Sequence, residues 1–172
     1  MSDPVSSILL RFPGPVVFSA SRKKWAGILL VCVGFVAVGT SLLYVERFQT
    51  FYHKSIFWSG IVFFGLGVPL AVAAMLPGAS KLALDAHGFE ITTLFRRRRF
   101  FWRDATSFHV FFPDGIKSAG MVMFDNAKQK DTRSVKLNVS LTGRNSGIPD
   151  TYGFAPEELV HLMTQWRERA LK

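Results

Sequence analysis

Only one cysteine, Cys32, occurs in the 172 residues. It lies inside an apolar run, so neither a disulfide framework nor a cysteine-based metal site can be assembled within one chain. The four histidines, His53, His87, His109 and His161, show no ligand spacing with one another. A phosphate-cradling glycine loop, a nucleophile elbow and a catalytic dyad are also missing. The acidic residues are dispersed at turns, where solvated carboxylates normally sit. The expectation is therefore a non-catalytic protein with no metal and no cofactor.

The most informative absence is that of charge from two long stretches. Between Lys24 and Glu46 lie 21 residues without a formal charge, and between Lys54 and Lys81 lie 26. A helix of roughly 20 residues crosses about 30 Å of hydrocarbon, so each stretch is long enough to span a bilayer. Nothing comparable follows Lys81. The first run, Trp25 to Val45, holds 11 Leu, Ile, Val or Phe residues, which favour insertion by on the order of 3–6 kcal/mol. It is longer than the apolar core of a signal peptide, and the ERFQT that follows offers no small-residue cleavage site, so it reads as a retained anchor. The second run contains Gly60, Gly65, Gly67 and Pro69, and a local bend is expected near Gly65, whose carbonyl the proline leaves unpaired.

These runs predict a membrane α-helical hairpin, with helices at 25–45 and 55–77 joined by a short external loop at 46–54. Arg22, Lys23 and Lys24 precede the first helix, and Lys81 and Arg96 to Arg99 follow the second. The connector carries Arg47 and Lys54 offset by Glu46. By the positive-inside rule both termini face the cytosol, with 1–24 as a cytosolic N-terminal segment and 81–172 as a cytosolic domain. Trp25 on one side, and Tyr44, Phe48, Phe51, Tyr52 and Trp58 around the connector, fit interfacial aromatic belts. Neither span contains a charge or a histidine, which argues against an ion or proton pathway. Gly67 and Ala71 form a small-xxx-small pair that seats either a partner helix or the protein's own first helix, in close packing of the two. An accessory subunit of a membrane complex, acting through its helices, is the alternative role that this pair would serve.

The net charge of +9 is compatible with nucleic acid, but much of it flanks the apolar runs, where anionic headgroups and topology account for it. Anionic membrane lipid, not nucleic acid, is the expected partner.

After Lys81 the pattern changes to short alternating stretches. Leu82 and Leu84 lead into Asp85-Ala-His-Gly88, where a glycine at positive φ would close a hairpin, and Phe89, Ile91, Thr93 and Phe95 share one face of the return strand. Further strands are expected at Phe100 to Trp102, Ser107 to Phe112, Ala119 to Asp125 and Val135 to Leu141. Breaks are expected at 113–115, 126–133 and 143–147. From Pro156 to Leu171 the period becomes helical, with Leu159, Leu162, Met163, Trp166 and Ala170 on one stripe. Pro15 to Ser21 either adds an edge strand or lies along the membrane interface, after a bend at Pro13-Gly-Pro15.

A meandering sheet followed by one amphipathic helix is an α+β arrangement in the order of a pleckstrin-homology-like (PH-like) antiparallel β-roll capped by a C-terminal α-helix. The succession DAHGFEI, RRFFWRDATSF and GIPDTYGFAPEELVHLM behind a two-helix hairpin resembles a family of short bacterial membrane proteins with a C-terminal PH-like domain. The resemblance implies that architecture, and a multi-pass location in the inner membrane of a bacterium; it brings no established activity. Ala155 departs from the Ser or Thr expected to cap the last helix, giving up roughly 1 kcal/mol, partly offset by Pro156 at the first helical position and by Glu157 and Glu158 against the dipole.

Trp102-Arg-Asp104 reads as an apolar anchor followed by a carboxylate that closes a turn on backbone amides. Asp150 and Tyr152 read as a turn that aims the last helix, with Tyr152 packed beneath it and its hydroxyl near water, and Trp166 as a core residue of that helix. Arg96, Arg97, Arg98 and Arg99 are the sharpest functional candidates. Four adjacent guanidinium groups need anions or solvent around them, and with Lys81 they make a lipid-contact surface, a solvated hairpin end or a protein-binding edge. A protein partner, or a second copy of the chain, is expected beside the membrane.

Overall fold

Alternation along the strands and the 3.6-residue period along the helices divide the described residues into twelve elements. The computed structural model describes residues 4–45, 50–113, 120–129 and 132–172. In chain order they are α1 (Pro4–Leu9), β1 (Val16–Ser19), α2 (Arg22–Leu42), α3 (Phe51–Met75), β2 (Ser80–Leu84), β3 (Gly88–Thr93) and β4 (Arg96–Phe101), then β5 (Ala105–Phe111), β6 (Met121–Asn126), α4 (Arg133–Thr142), β7 (Ser146–Ile148) and α5 (Pro156–Ala170). Two units result: Ser21–Ala79 is one, and Met1–Ala20 together with Ser80–Lys172 is the other. Glu46, Arg47 and Phe48 of the expected external loop, Asp114 and Gly115 of an expected turn, and Ala119 lie outside the described residues.

The first unit is a pair of apolar helices long enough, by length and composition, to cross a membrane. Phe35 of α2 stacks on Phe64 of α3 at 4.3 Å. A Cβ added to Gly67 would come within 2.8 Å of the Cys32 sulfur, and one on Gly39 within 3.0 Å of Ile61. Small residues therefore let the helices approach. Val33, Val38, Phe63 and Leu66 point outward and are exposed. The hydroxyls of Thr40, Ser41, Ser55 and Ser59 each donate to the carbonyl four residues back, so these donors are satisfied without water. Helix α2 begins earlier than the apolar run and includes Arg22 to Lys24, while α3 continues through Pro69 to Met75.

The other unit holds two antiparallel sheets, one ordered β1-β2-β3-β4 and one β5-β6-β7. Leu82, Leu84, Phe89 and Ile91 line the inner face of the first, Val122 and Phe124 that of the second, and all are buried. Helix α5 lays Leu159, Leu162, Met163 and Trp166, each fully buried, against this core. Phe89 is the hub of an aromatic cluster with Phe100, Trp102, Phe108 and Phe124, at centroid distances of 5.1 to 6.1 Å. Ala155 has no side-chain acceptor, so only the reciprocal half of a capping box forms, its N–H donating to the Glu158 carboxylate at 3.0 Å.

Several local expectations are corrected. Residues 135–141 are not a strand: Thr132 caps Val135 N–H, Gly143 ends the segment at φ 73°, and the residues between form α4. End signals override the apolar alternation there, and Leu137, Val139 and Leu141 are left exposed. The third strand of the second sheet is instead Ser146–Ile148, inside an expected break. Gly88 is not needed for positive φ; a Cβ there would stand 2.0 Å from the Phe100 carbonyl oxygen, so glycine permits the close approach of β4. Phe95 is not on the return strand, which stops at Thr93. Residues 16–19 do form an edge strand, pairing with β2 from Val16↔Leu84 to Ser19↔Lys81. Ahead of that strand, Val5 and Leu9 are buried in the same core.

Candidate functional site

Strands β2, β3 and β4 are consecutive antiparallel neighbours, and their register determines where each basic side chain lies. Thr93 pairs with Arg96, Thr92 with Arg97, Ile91 with Arg98 and Glu90 with Arg99. The four arginines thus occupy the outer half of an edge strand, and all are exposed. Because side chains alternate, Arg97 and Arg99 share the face of Glu90, while Arg96 and Arg98 share the face of Ile91.

This alternation separates the charges. Arg99 donates to the Asp85 carboxylate at 2.7 Å, and Arg97 lies 3.8 Å from Glu90. Arg96 and Arg98 make no ion pair among the described residues. The unpaired positive charge is therefore concentrated toward the β3–β4 end. Lys81 lies at the same end of β2, opposite Ser19 and Thr92, and is half-buried.

The same end of the sheet is where the chain departs and returns. Ala20 N–H donates to the Ser80 carbonyl at 3.2 Å, and Ser80 in turn pairs with Thr93. Ala20, Ser80, Thr93 and Arg96 therefore form one row. The turn that closes β3 onto β4 has two central residues, Leu94 at φ 47° and Phe95 at φ 65°, the left-handed pair that a type I′ hairpin requires. Asn and Gly adopt that conformation readily, whereas an L side chain with a bulky Cβ gives up roughly 1–2 kcal/mol per residue. Both side chains are nevertheless large and apolar, and they are 37% and 56% exposed.

The opposite end is organised by Asp85. Its carboxylate accepts from His87 N–H at 2.8 Å and Gly88 N–H at 2.9 Å, closing the β2–β3 turn. Its carbonyl accepts from the indole N–H of both Trp102, at 2.9 Å, and Trp166, at 3.0 Å. Asp104, in contrast, accepts from no backbone amide among the described residues; its carboxylate takes Lys128 Nζ at 2.9 Å. An open hollow of about 280 Å³ lined by His87, Trp102, Arg103 and Leu171 lies at this end.

Asp150 accepts from Thr151 N–H at 2.8 Å. Tyr152 is buried, and its hydroxyl donates to the Lys81 carbonyl at 3.4 Å instead of facing water. Burial pushes this phenol well above its ordinary range, the Asp150 charge adds to the shift, and a hydrogen bond with Ser80 opposes it. On the second sheet Arg144 bridges the Asp125 carboxylate and His109 Nε2. In the helical pair Gly67 faces Cys32 of the neighbouring helix, and Ala71, one turn later, is buried.

Sequence reasoning missed the central place of Asp85 and the exposed Leu94-Phe95 turn. For the first no signal existed, because a carbonyl acceptor is independent of side-chain type. For the second the signal was present: an apolar pair between Thr93 and four arginines is out of place in a solvated hairpin end. Comparison with family models, with curated proteins and with solved structures yields no match to this chain.

Proposed function

We propose that this chain is a non-catalytic, membrane-anchored module. Its helical hairpin crosses the inner membrane of a bacterium twice, both termini are cytosolic, and a PH-like roll beside the headgroups binds a protein partner or a second copy of the chain. Arg96 to Arg99 orient that roll on anionic lipid. The PH-like reading draws support from the four-plus-three strand arrangement with a final helix, the hairpin being inserted between the first two strands. The cytosolic placement rests on the basic flanks of the apolar runs, and the bacterial location on the family resemblance.

One observation carries the lipid contact. The chain passes to and from the apolar helices at the end of the sheet where Arg96 and Arg98 are exposed and, among the described residues, free of ion pairs. Each cation near an anionic surface contributes at most about 1 kcal/mol, so the arginines orient a domain that is already tethered. The competing role, an accessory subunit acting through its helices, has less support, since Gly67 packs against Cys32 of the same hairpin.

Hydrogen exchange on the full chain in phosphatidylcholine nanodiscs, with and without phosphatidylglycerol, tests the lipid contact. Amides of β3 and β4 should exchange more slowly in anionic discs at low salt, and replacing Arg96 to Arg99 by Gln should remove the difference. Equal exchange in both discs would refute the electrostatic orientation.

A further inference from the structure

We propose that the β3–β4 turn is a membrane-insertion finger, in which Leu94 and Phe95 enter the interfacial layer of the bilayer and Arg96 and Arg98 at its base meet headgroup phosphates. The inference rests on the membrane reading of the helical hairpin and extends it to a second, non-helical point of attachment.

Three observations converge on it. The first is the conformation: two large apolar residues occupy positive φ, where Asn-Gly would be the relaxed choice, and they are presented outward without joining the core. The second is the charge gradient along β4. Asp85 holds the Arg99 guanidinium and Glu90 lies 3.8 Å from that of Arg97, whereas Arg96 and Arg98, beside the tip, have no ion pair among the described residues. Apolar residues ahead of unpaired cations match the layering of a bilayer surface, acyl chains beneath phosphates.

The third observation is tether length. Five residues lead from Ala20 to Trp25: four in α2 rise about 6 Å, and the extended Ser21 adds at most about 3.5 Å. The segment from Leu76 to Ser80 spans at most about 14 Å when fully extended. The turn lies between one and two strand spacings from β2, about 5–10 Å across the sheet. A sheet end held this close to the start of the hydrocarbon brings its own tip within reach of the headgroup layer, which is about 5–8 Å thick on each side. Solvated turns at such a position have no need of Leu and Phe.

Site-directed spin labelling of the full chain in nanodiscs tests the finger. In a Cys32→Ser background, nitroxides are placed singly at Leu94, Phe95, His87 or Phe63, and their collision rates with oxygen and with a water-soluble nickel chelate are compared. The expected result is oxygen-dominated relaxation at 94 and 95, as at 63 within α3, and nickel-dominated relaxation at 87 at the far end of the sheet. Nickel access at 94 and 95 equal to that at 87, in discs with and without phosphatidylglycerol, overturns the finger.

The outcomes separate the two readings. Oxygen-dominated relaxation at 95 that survives replacement of the four arginines supports the finger even if the charge-dependent exchange of β4 fails to appear. Nickel access at 95 together with charge-dependent exchange overturns the finger alone, and nickel access at 63 overturns both. The double variant Leu94→Asn with Phe95→Gly guards against misfolding. Its melting temperature in detergent should equal or exceed that of the natural chain, while exchange at residues 93–96 in nanodiscs becomes at least several-fold faster. Unchanged exchange in that variant also refutes the proposal.

Discussion

Tyr152 shows how one buried polar atom links the turn before α5 to the base of the sheet. Its hydroxyl reaches the Lys81 carbonyl, and ionisation would place a phenolate against that acceptor in a buried site near Asp150. The folded chain therefore holds the proton more tightly than the unfolded chain, where tyrosine ionises near pH 10. A raised folded value means that this contribution to stability is complete below about pH 10 and is lost as pH climbs further. Chemical denaturation at rising alkaline pH should show a steeper fall for the natural chain than for Tyr152→Phe, with the two converging near neutrality apart from the small offset of one hydrogen bond. At the same scale, the apolar stripe of α5 was legible because Leu159, Leu162, Met163 and Trp166 repeat at helical spacing. The role of Asp85 was not, because two indoles converge on its main chain from residues 17 and 81 positions away.

Among the elements, α4 departs most from its own pattern. Val135, Leu137, Val139 and Leu141 alternate with polar residues as a strand would, yet Thr132 and Gly143 bracket them as a helix. Local end signals decided the outcome because no sheet partner engages the segment. Val139→Lys should therefore change stability by no more than about 0.5 kcal/mol, as for exposed positions, whereas a half-buried strand would lose several times that. Gly143→Ala should cost more, roughly 1–2 kcal/mol, because its φ of 73° is left-handed. Thermal or denaturant unfolding of both variants provides the measurement. The two apolar helices were legible for the opposite reason: each is an uncharged, apolar run of more than twenty residues, too long for a single strand. Strands β2 and β3 were legible from alternation bounded by Asp85 and Gly88. Strand β7 was not, since three residues, Ser-Gly-Ile, carry no periodicity.

Across the whole molecule, the sheet domain is assembled from two stretches of chain separated by the helical pair. An edge strand at Pro15 to Ser21 was one of two readings and brings Val16 to the sheet, but that Val5 and Leu9 join a core whose other members begin at Leu82 was not legible, because contacts made over more than seventy residues leave no local trace. Ala20 and Ser80 are hydrogen-bonded neighbours, so removing Ser21–Ala79 and joining them through a short glycine-containing turn should give a soluble domain that unfolds in one cooperative transition. Residues 80–172 alone lack the edge strand and the Val5 and Leu9 contacts, and should show markedly lower cooperativity and faster amide exchange. Circular dichroism melts and two-dimensional amide spectra of the two proteins distinguish these outcomes.

If the apolar helices cross a bilayer as proposed, the pairing of β1 with β2 also acts as a parity check on biosynthesis. Val16 to Ser19 leave the ribosome before the apolar helices, and their partners, Ser80 to Leu84, leave after them. On that reading the first sheet closes only when both stretches finish on one side of the bilayer, which requires an even number of crossings between them. A chain that inserted one helix and left the other behind would strand β1 across the membrane from its partner. It would expose the unpaired edge of β2 and the unfilled places of Val5, Leu9 and Val16 to quality-control proteases, so that correct topology and a completed core become a single event.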